Sequence, residues 1–236
     1  MRILGIDSSG LVATVAVVDE NEMIAEYTVN YKKTHSQTLL PMIDEIVKMI
    51  DLDLELLEAI AISAGPGSFT GLRIGSATAK GLGQALNKPL IAVPTVDGLA
   101  FNLYGTEKII CPIMDARRSQ VYTGIYTFIK NQFTILTPQM AVSIQEIAEK
   151  LNHLEKEVIF LGDGVPVHSE ALKTLMTVPY TFAPPHMSRQ RAGAVATLGL
   201  QYIKAGKIQT AAEHQPEYLR LSQAEREQIE KEAQKE

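Results

Sequence analysis

Three aspartates, Asp7, Asp115 and Asp163, each stand at a turn after an apolar run, where a carboxylate could take part in metal or nucleotide chemistry. Carboxylate oxygens suit Mg²⁺, and a nearby glycine lets backbone amides approach a phosphate. The structural alternative is that each aspartate starts its turn by accepting a hydrogen bond from its own backbone. The pattern leaves both interpretations open. The turns read Asp7-Ser8-Ser9-Gly10-Leu11, Asp115-Ala116-Arg117-Arg118-Ser119 and Gly162-Asp163-Gly164.

A glycine-rich loop occupies residues 65–75, between an apolar run at 59–63 and a helix-compatible segment that ends near Leu86. Glycines ahead of a helix N-terminus can cradle an anion, so phosphate binding is one interpretation and a tight structural turn is the other. The Walker pattern requires lysine after Gly71, but Leu72 stands there. The glycines are also spaced one residue too far apart for the G-x-G-x-x-G pattern of dinucleotide-binding loops. A P-loop nucleotide site is therefore excluded. The loop reads Gly-Pro-Gly-Ser-Phe-Thr-Gly-Leu-Arg-Ile-Gly.

The segment after this loop has an edge of very small residues. Gly75, Ala79 and Gly83 recur at i, i+4 and i+8, which places them on one side of a helix. Each interior glycine costs about 1 kcal/mol relative to alanine, so some contact must offset the loss. Small residues let another backbone approach closely and gain dispersion contacts. The pattern thus predicts close packing against another helix or against the sheet, inside the same domain or with a partner.

Composition excludes several classes of protein. With 236 residues and a net charge of −5, the chain lacks the dense basic field that a protein needs to hold nucleic acid by itself, so an RNA role requires a partner. Cys111 is the only cysteine and lies in an apolar run, which favours a buried, inert thiol. Asp7 interrupts the N-terminal apolar stretch, and no run approaches transmembrane length. We expect a cytoplasmic protein without membrane contact.

The predicted elements follow the order βββαβαβα twice, with a period of about one hundred residues. This order indicates an α/β protein of two RNase H-like lobes at residues 1–106 and 107–220, followed by a charged, solvated tail at 221–236. Tyr218, Leu219 and Arg220, just before the tail, are predicted to fasten the chain end onto the body.

Two such lobes are the architecture of actin, sugar kinases and heat-shock ATPases (the ASKHA fold), which bind nucleotide in the cleft between the lobes. The first hairpin turn of each lobe in those ATPases reads Asp-x-Gly-x-Thr. Both turns here keep the aspartate, Asp7 or Asp115, and lose that glycine. Asp163 lies where those ATPases contact adenosine. We therefore expect no cofactor, with ATP or ADP in the cleft or at a complex interface as the alternative.

Four segments together resemble the bacterial TsaB family, formerly called YeaZ: residues 2–9, the loop at 65–75, residues 114–118, and Pro216-Glu217-Tyr218-Leu219-Arg220. The resemblance implies a noncatalytic subunit of the machinery that forms threonylcarbamoyladenosine at A37 of tRNA. Such a subunit binds and activates the paralogous TsaD, which transfers threonylcarbamoyl from threonylcarbamoyl-AMP to the tRNA adenosine. It also implies TsaE within the complex, a homodimer when the chain is alone, and tRNA contact mainly through the complex.

The catalytic paralogue TsaD binds its metal through two histidines one helical turn apart. Thr95 and Leu99 stand at those positions here, and neither supplies the imidazole nitrogen that a transition metal favours. Ser68 does not lie in a Gly-x-Ser-x-Gly nucleophile elbow. We expect no catalytic and no metal-binding residues. A stand-alone ATP-dependent kinase-like enzyme using Asp7 and Asp115 remains the alternative, and a metal-dependent peptidase is third.

A partner surface is predicted on the helix at about 38–50 and on the small-residue helix. The first has an apolar arc of about 180°, wider than the ~100° that one core contact needs. Pro41 is tolerated in a first turn, so this helix should begin near Gln37 or Thr38. The resemblance implies a four-helix contact with TsaD or a second copy; the alternative is that the chain's own loops cover the arc. The predicted interface residues are Leu39, Met42, Ile46, Met49, Thr70, Arg73, Ala77, Lys80 and Gly81.

Overall fold

A computed structural model describes residues 1–31 and 34–220. The predicted tail at 221–236 lies outside the described residues. Within them the element order is βββαβαβα, repeated once, as the periodicity predicts. The α/β two-lobe fold is thereby confirmed.

The first repeat forms a five-stranded sheet with the order β3-β2-β1-β4-β5. β1 pairs antiparallel with β2 and parallel with β4, so the strand that ends at Asp7 is central. A single 3-10 turn at Leu54–Leu56 leads into β4. The elements are β1 Arg2–Asp7, β2 Ala13–Asp19, β3 Met23–Val29, α1 His35–Met49, β4 Ala59–Gly65, α2 Phe69–Ala85, β5 Leu90–Pro94 and α3 Thr95–Phe101.

The second repeat forms a sheet with the order β10-β9-β6-β7-β8, which is the first order read from the other end. Its central strand, β6, ends at Asp115, and β9 ends just before Gly162 and Asp163. Asp7 and Asp115 therefore end equivalent central strands, whereas Asp163 follows the neighbouring strand β9. The elements are β6 Ile109–Asp115, β7 Gln120–Ile129, β8 Gln132–Ser143, α4 Ile144–Asn152, β9 Val158–Leu161, α5 Gly164–Leu175, β10 Tyr180–Phe182 and α6 Ala192–Lys204.

Helix α1 begins earlier than predicted, at His35 rather than near Gln37 or Thr38, and Pro41 lies inside it. The extra turn is held by contacts that periodicity does not show. The His35 ring donates from Nε2 to the carbonyl oxygen of Gly10 at 2.8 Å, and Gln37 N donates to Thr34 O at 2.9 Å. The first hydrogen bond fastens the start of α1 to the first hairpin, and the second closes the first turn of the helix.

Two helices, α3 and α6, lie between the sheets and join the lobes through one hydrophobic core. Every residue of α3 is buried. The shared core contains Ile3 and Val93 from the first sheet, Ile110 and Met114 from the second, and apolar residues of both helices. Helix α6 is the last element of the second repeat but packs on the first sheet. The lobes are therefore fused along this side.

A buried carboxylate also links the lobes within this core. Asp97 on α3 accepts hydrogen bonds from the hydroxyl of Tyr126 on β7 at 2.8 Å and from that of Tyr202 on α6 at 3.4 Å. Burial raises the pKa of Asp97, although the two tyrosine hydrogen bonds act in the opposite direction.

The outer helices cover the remaining sheet faces. Helices α1 and α2 pack on the first sheet beside Leu4 and Ile60, while α4 and α5 pack on the second beside Ile109 and Phe160. Among the described residues, no helix has both the length and the apolar character that a membrane span requires.

Candidate functional site

The loops that follow the central strands surround a cavity of about 580 Å³ between the lobes. Its walls come from residues 9–11, 67–70, 114–117 and 218–220, together with Tyr122 and Asp163. All four segments that carry the family resemblance therefore supply or adjoin this cavity, although they lie far apart in the sequence. We call it the cleft.

Asp7 lies behind the cleft and is used by its own lobe. Its side chain is almost fully buried, at 1% exposure. Oδ1 accepts from the backbone N and the hydroxyl of Ser9 at 2.8 and 2.6 Å, and Oδ2 accepts from the Ser63 hydroxyl at 2.5 Å. Burial raises the pKa of Asp7 despite these hydrogen bonds. The hydrogen bond from the backbone of Ser9 is the one expected of an aspartate that starts its own turn. Asp7 is not among the residues that line the cleft.

Asp115 and Asp163, in contrast, both line the cleft. Asp115 Oδ1 accepts from Arg117 N at 2.9 Å, and Asp163 Oδ1 accepts from Asp115 N at 3.1 Å. Burial is the main cause that raises the pKa of Asp163, and the charge of Asp115 adds to it. The Arg117 guanidinium lies 3.9 Å from the Asp115 carboxylate, so the second hairpin presents both signs of charge to the cleft.

The glycine loop is packed against the first hairpin. A Cβ on Gly71 would overlap the carbonyl oxygen of Ser8, and Ser68 N donates to the carbonyl oxygen of Ser9 at 2.6 Å. The Ser68 hydroxyl caps α2 by accepting from Gly71 N at 3.3 Å. Carbonyl oxygens of the protein thus approach the helix N-terminus at which an anion would bind.

The small-residue edge of α2 faces the first lobe's own interior. A Cβ on Gly75 would overlap the Ser8 hydroxyl, and one on Gly83 would lie 2.9 Å from a methyl of Leu90. Ala79 is fully buried in the same core. Of the alternatives that the sequence left open, packing within the same domain is the one observed. Among the glycines of this helix, only Gly81 faces open space.

Three of the predicted interface residues are on the inside of the molecule. Leu39, Met42 and Ile46 are 1%, 4% and 4% exposed and belong to the first lobe's core, so their prediction as surface residues was wrong. The wide apolar arc of α1 does contact a second neighbour, but that neighbour is α2 of the same chain, with Ile74 and Leu82 packed against this core.

The other predicted interface residues remain accessible and form a shallow surface. Thr70, Arg73, Ala77 and Gly81 are exposed along α2 at helical spacing. Met49 on α1 is 74% exposed. Lys80 is half-buried because its ammonium donates to the carbonyl oxygen of His214 at 3.0 Å. We call residues 70, 73, 77 and 81 the α2 row.

The end of the described chain, which carries Tyr218, Leu219 and Arg220, crosses from the first lobe to the second. The Tyr218 ring lies 4.7 Å from that of Phe69 at the start of α2. The Arg220 guanidinium donates from Nη1 to the carbonyl oxygen of Ala116 in the second hairpin. The prediction that these residues fasten the chain end to the body is confirmed.

The positions that carry the metal ligands in TsaD are built into the core of this chain. The Thr95 hydroxyl accepts from Gly65 N at 3.1 Å, and Leu99 packs in the core shared by the lobes. In the described part of the chain, no three or more His, Cys, Asp or Glu side chains group in a way that could hold a metal ion. Cys111 is buried, as predicted, and burial raises the pKa of its thiol to about 12.

Comparisons with known proteins agree with the geometry. Residues 22–228 match the family model described as TsaD: tRNA N6-adenosine threonylcarbamoyltransferase. The tRNA threonylcarbamoyladenosine biosynthesis protein TsaB of Bacillus subtilis is 33% identical, over 98% of this chain and 99% of that protein. TsaB of Escherichia coli is 32% identical over 70% of this chain and 72% of that protein.

Solved structures show the same fold. The structure described as YeaZ from Pseudomonas aeruginosa matches with a TM-score of 0.80 and 25% identity, over 92% of this chain and 99% of that one. Full-length similarity to TsaB, the shared fold and the matching TsaD family model all lead to one assignment. The chain is a member of the TsaB family of tRNA threonylcarbamoyladenosine biosynthesis proteins.

Proposed function

We propose that this chain is a noncatalytic subunit that binds TsaD and activates it for transfer of threonylcarbamoyl from threonylcarbamoyl-AMP to A37 of tRNA. The family assignment supports the pathway, because the full-length relatives are tRNA threonylcarbamoyladenosine biosynthesis proteins. The observation that carries the proposal is the exposed α2 row, a surface through which the subunit can contact TsaD. We place this activity in the cytoplasm.

The side chains at the two positions equivalent to the metal-binding histidines of TsaD support a noncatalytic role. The Thr95 side chain has no imidazole nitrogen, and its hydroxyl already accepts a hydrogen bond from Gly65 N. Leu99 is an apolar residue of the core. The first hairpin also brings the carbonyl oxygens of Ser8 and Ser9 against the loop that a phosphate would need. An oxygen with partial negative charge repels a phosphate oxygen.

The α2 row supports a helix-to-helix contact. Thr70, Ala77 and Gly81 are small, so a partner helix can approach the backbone of α2 closely along the row. Arg73 supplies one charge near its start, and exposed Leu40 and Met49 on α1 add apolar area. We propose that TsaD binds this surface directly, with TsaE joining the complex, and that a second copy of the chain uses it when TsaD is absent. Contact with tRNA is made mainly through the complex.

An Ala77→Glu variant tests this surface. A carboxylate at the centre of a closely packed helix contact is buried without a partner, which should weaken TsaD binding about a hundredfold or more. Co-elution with TsaD from a size-exclusion column should be lost, while the far-UV circular dichroism melt stays close to that of the wild type. The matched control is Gln201→Glu, on the exposed side of α6. Equal co-elution of the two variants would show that TsaD does not bind the α2 row.

One observation favours a second candidate, an ATP-dependent enzyme of the two-lobed ATPase class. The cleft is large enough for a ligand, and Asp115 and Asp163 both line it. Calorimetric titration of the isolated chain with Mg-ATP separates the candidates. The proposed accessory role predicts no turnover, whereas micromolar binding together with hydrolysis would favour the enzyme.

A further inference from the structure

The last described residues, 214–220, form an irregular segment that we call the C-terminal strap. Its first part is anchored in the first lobe by buried contacts. The His214 ring shares a hydrogen bond with the Ser76 hydroxyl of α2 at 2.9 Å, and both side chains are buried. Glu217 N donates to Ala64 O at 2.6 Å.

The backbone beneath the strap is adapted to it. Gly65 has φ of +123°, a conformation that residues with a Cβ rarely adopt. A Cβ at this position would overlap the carbonyl oxygen of Glu217. The strap and the glycine loop therefore fit each other closely, and this part of the strap should stay bound to the first lobe.

The second part of the strap reaches the other lobe through more accessible contacts. Arg220 Nη1 donates to the carbonyl oxygen of Ala116 and lies 3.5 Å from that of Arg117. Gln139 on β8 donates to the Glu217 carboxylate at 2.9 Å, at an exposed site. Both contacts are at least partly open to water, which competes for their donors and acceptors, whereas the contact at His214 is buried. The strap should therefore separate from the second lobe before it leaves the first.

The contact at Arg220 falls on an unusual turn. Arg117, Arg118 and Ser119 have φ of 66°, 53° and 57°, three consecutive residues in a region that costs energy for residues with a Cβ. Arg220 binds carbonyl oxygens at the start of this turn, and residues 218–220 form one wall of the cleft. The turn has hydrogen bonds of its own, from Ala116 N to Gln120 O at 3.0 Å and from Gln120 N to Arg117 O at 3.1 Å. The Arg220 guanidinium adds to them and closes that side of the cleft.

We propose that the C-terminal strap is a latch across the mouth of the cleft, with Arg220 as the group that opens and closes it. When Arg220 leaves the second hairpin, the turn at 115–120 is freed and the cleft opens on that side. The lobes stay joined by the core around α3 and α6 and by the Asp97–Tyr126 hydrogen bond, so the motion is confined to the mouth. Tyr218, whose ring packs at a tilt against that of Phe69, keeps Arg220 in reach of its acceptors. This inference does not depend on TsaD binding.

Hydrogen exchange of the full chain, followed by mass spectrometry, tests the latch. Arg220→Ala should speed exchange of the amides at 115–120 about tenfold or more, because they lose the charged group that holds the turn. Tyr218→Ala should act in the same direction, while peptides from β1 and from residues 109–114 of β6 keep wild-type rates. Lys130→Ala, which removes a positive charge from a turn far along β7, is the matched control.

A distance measurement gives an independent readout. Cys111 is buried, so spin labels attach selectively to cysteines introduced at exposed Leu11 in the first hairpin and at exposed Ser119 in the turn that Arg220 contacts. The unaltered strap should give one narrow distance distribution, and Arg220→Ala should broaden it toward longer distances. The proposal is overturned if Arg220→Ala and Tyr218→Ala both leave the exchange of residues 115–120 and this distribution unchanged.

Discussion

Replacing Gly75 with alanine tests whether the bare edge of α2 is required by packing within the chain. A Cβ at this position would overlap the Ser8 hydroxyl and lie 3.1 Å from the terminal methyl of Ile62. The Ser8 hydroxyl donates to Gly71 O at 2.9 Å in a buried site. The added methyl must therefore displace both a packed side chain and a hydrogen bond.

The expected loss follows from three contributions. Overpacking costs about 1–3 kcal/mol, and the disturbed hydrogen bond costs about 1 kcal/mol more. Alanine returns about 1 kcal/mol of helix propensity relative to glycine. The free energy of unfolding of Gly75→Ala should fall by about 1–3 kcal/mol, which lowers Tm by about 2–12 °C for a chain of this length.

Gly81→Ala is the matched control on the same helix. No atom lies within 4 Å of the position that its Cβ would occupy, so only the helix propensity changes. Its free energy of unfolding should rise by about 1 kcal/mol. Thermal and urea unfolding of the isolated chains, followed by far-UV circular dichroism, measure both variants. If Gly75→Ala were stabilised as much as Gly81→Ala, the edge would not be packed against the first lobe, and the reasoning would fail.

Two further predictions concern buried ionisable groups. The pKa of Asp97 in the folded chain is raised above its ordinary value of 3.8. The contribution of Asp97 to the free energy of unfolding is therefore complete below pH 3.8 and is lost as the pH rises through the raised pKa. Urea unfolding across pH 4–8 should therefore show a smaller loss of stability with rising pH for Asp97→Asn than for the wild type, and parallel curves would contradict this. Cys111, with a pKa of about 12, should not react with a thiol reagent at pH 8 in the folded chain and should react fully in denaturant. Rapid reaction of the native chain would show that the thiol is accessible.

The repeat of βββαβαβα could be predicted because each element carries its own periodicity. The bounds of β3, β6 and β9 follow directly from short apolar runs between turn residues. The sequence indicates only the Phe133–Leu136 part of strand β8, which extends over Gln132–Ser143. Its second half contains Pro138 and polar residues, and it becomes a strand by pairing with β7, where Thr123 lies opposite Met140 and Gln120 opposite Ser143.

The candidate site could be predicted less completely, because amphipathicity tells how much surface a helix must bury and not which neighbour buries it. The arc of α1 indicated a second contact, and α2 of the same chain supplies it. The edge of α2 indicated close packing, and Ser8 and Leu90 supply that. Contacts of the strap, such as Ser76 with His214, join residues 138 positions apart, and no local pattern indicates them.

Reconstituted tRNA modification tests the proposed function most directly. TsaD, TsaE, threonylcarbamoyl-AMP and an unmodified tRNA are combined with this chain, without it, or with its Ala77→Glu variant, and threonylcarbamoyladenosine is quantified by mass spectrometry. The proposal predicts modification only when the wild-type chain and TsaD are both present, and little with Ala77→Glu. Equal modification without this chain, or modification by this chain in the absence of TsaD, would contradict a noncatalytic activating subunit.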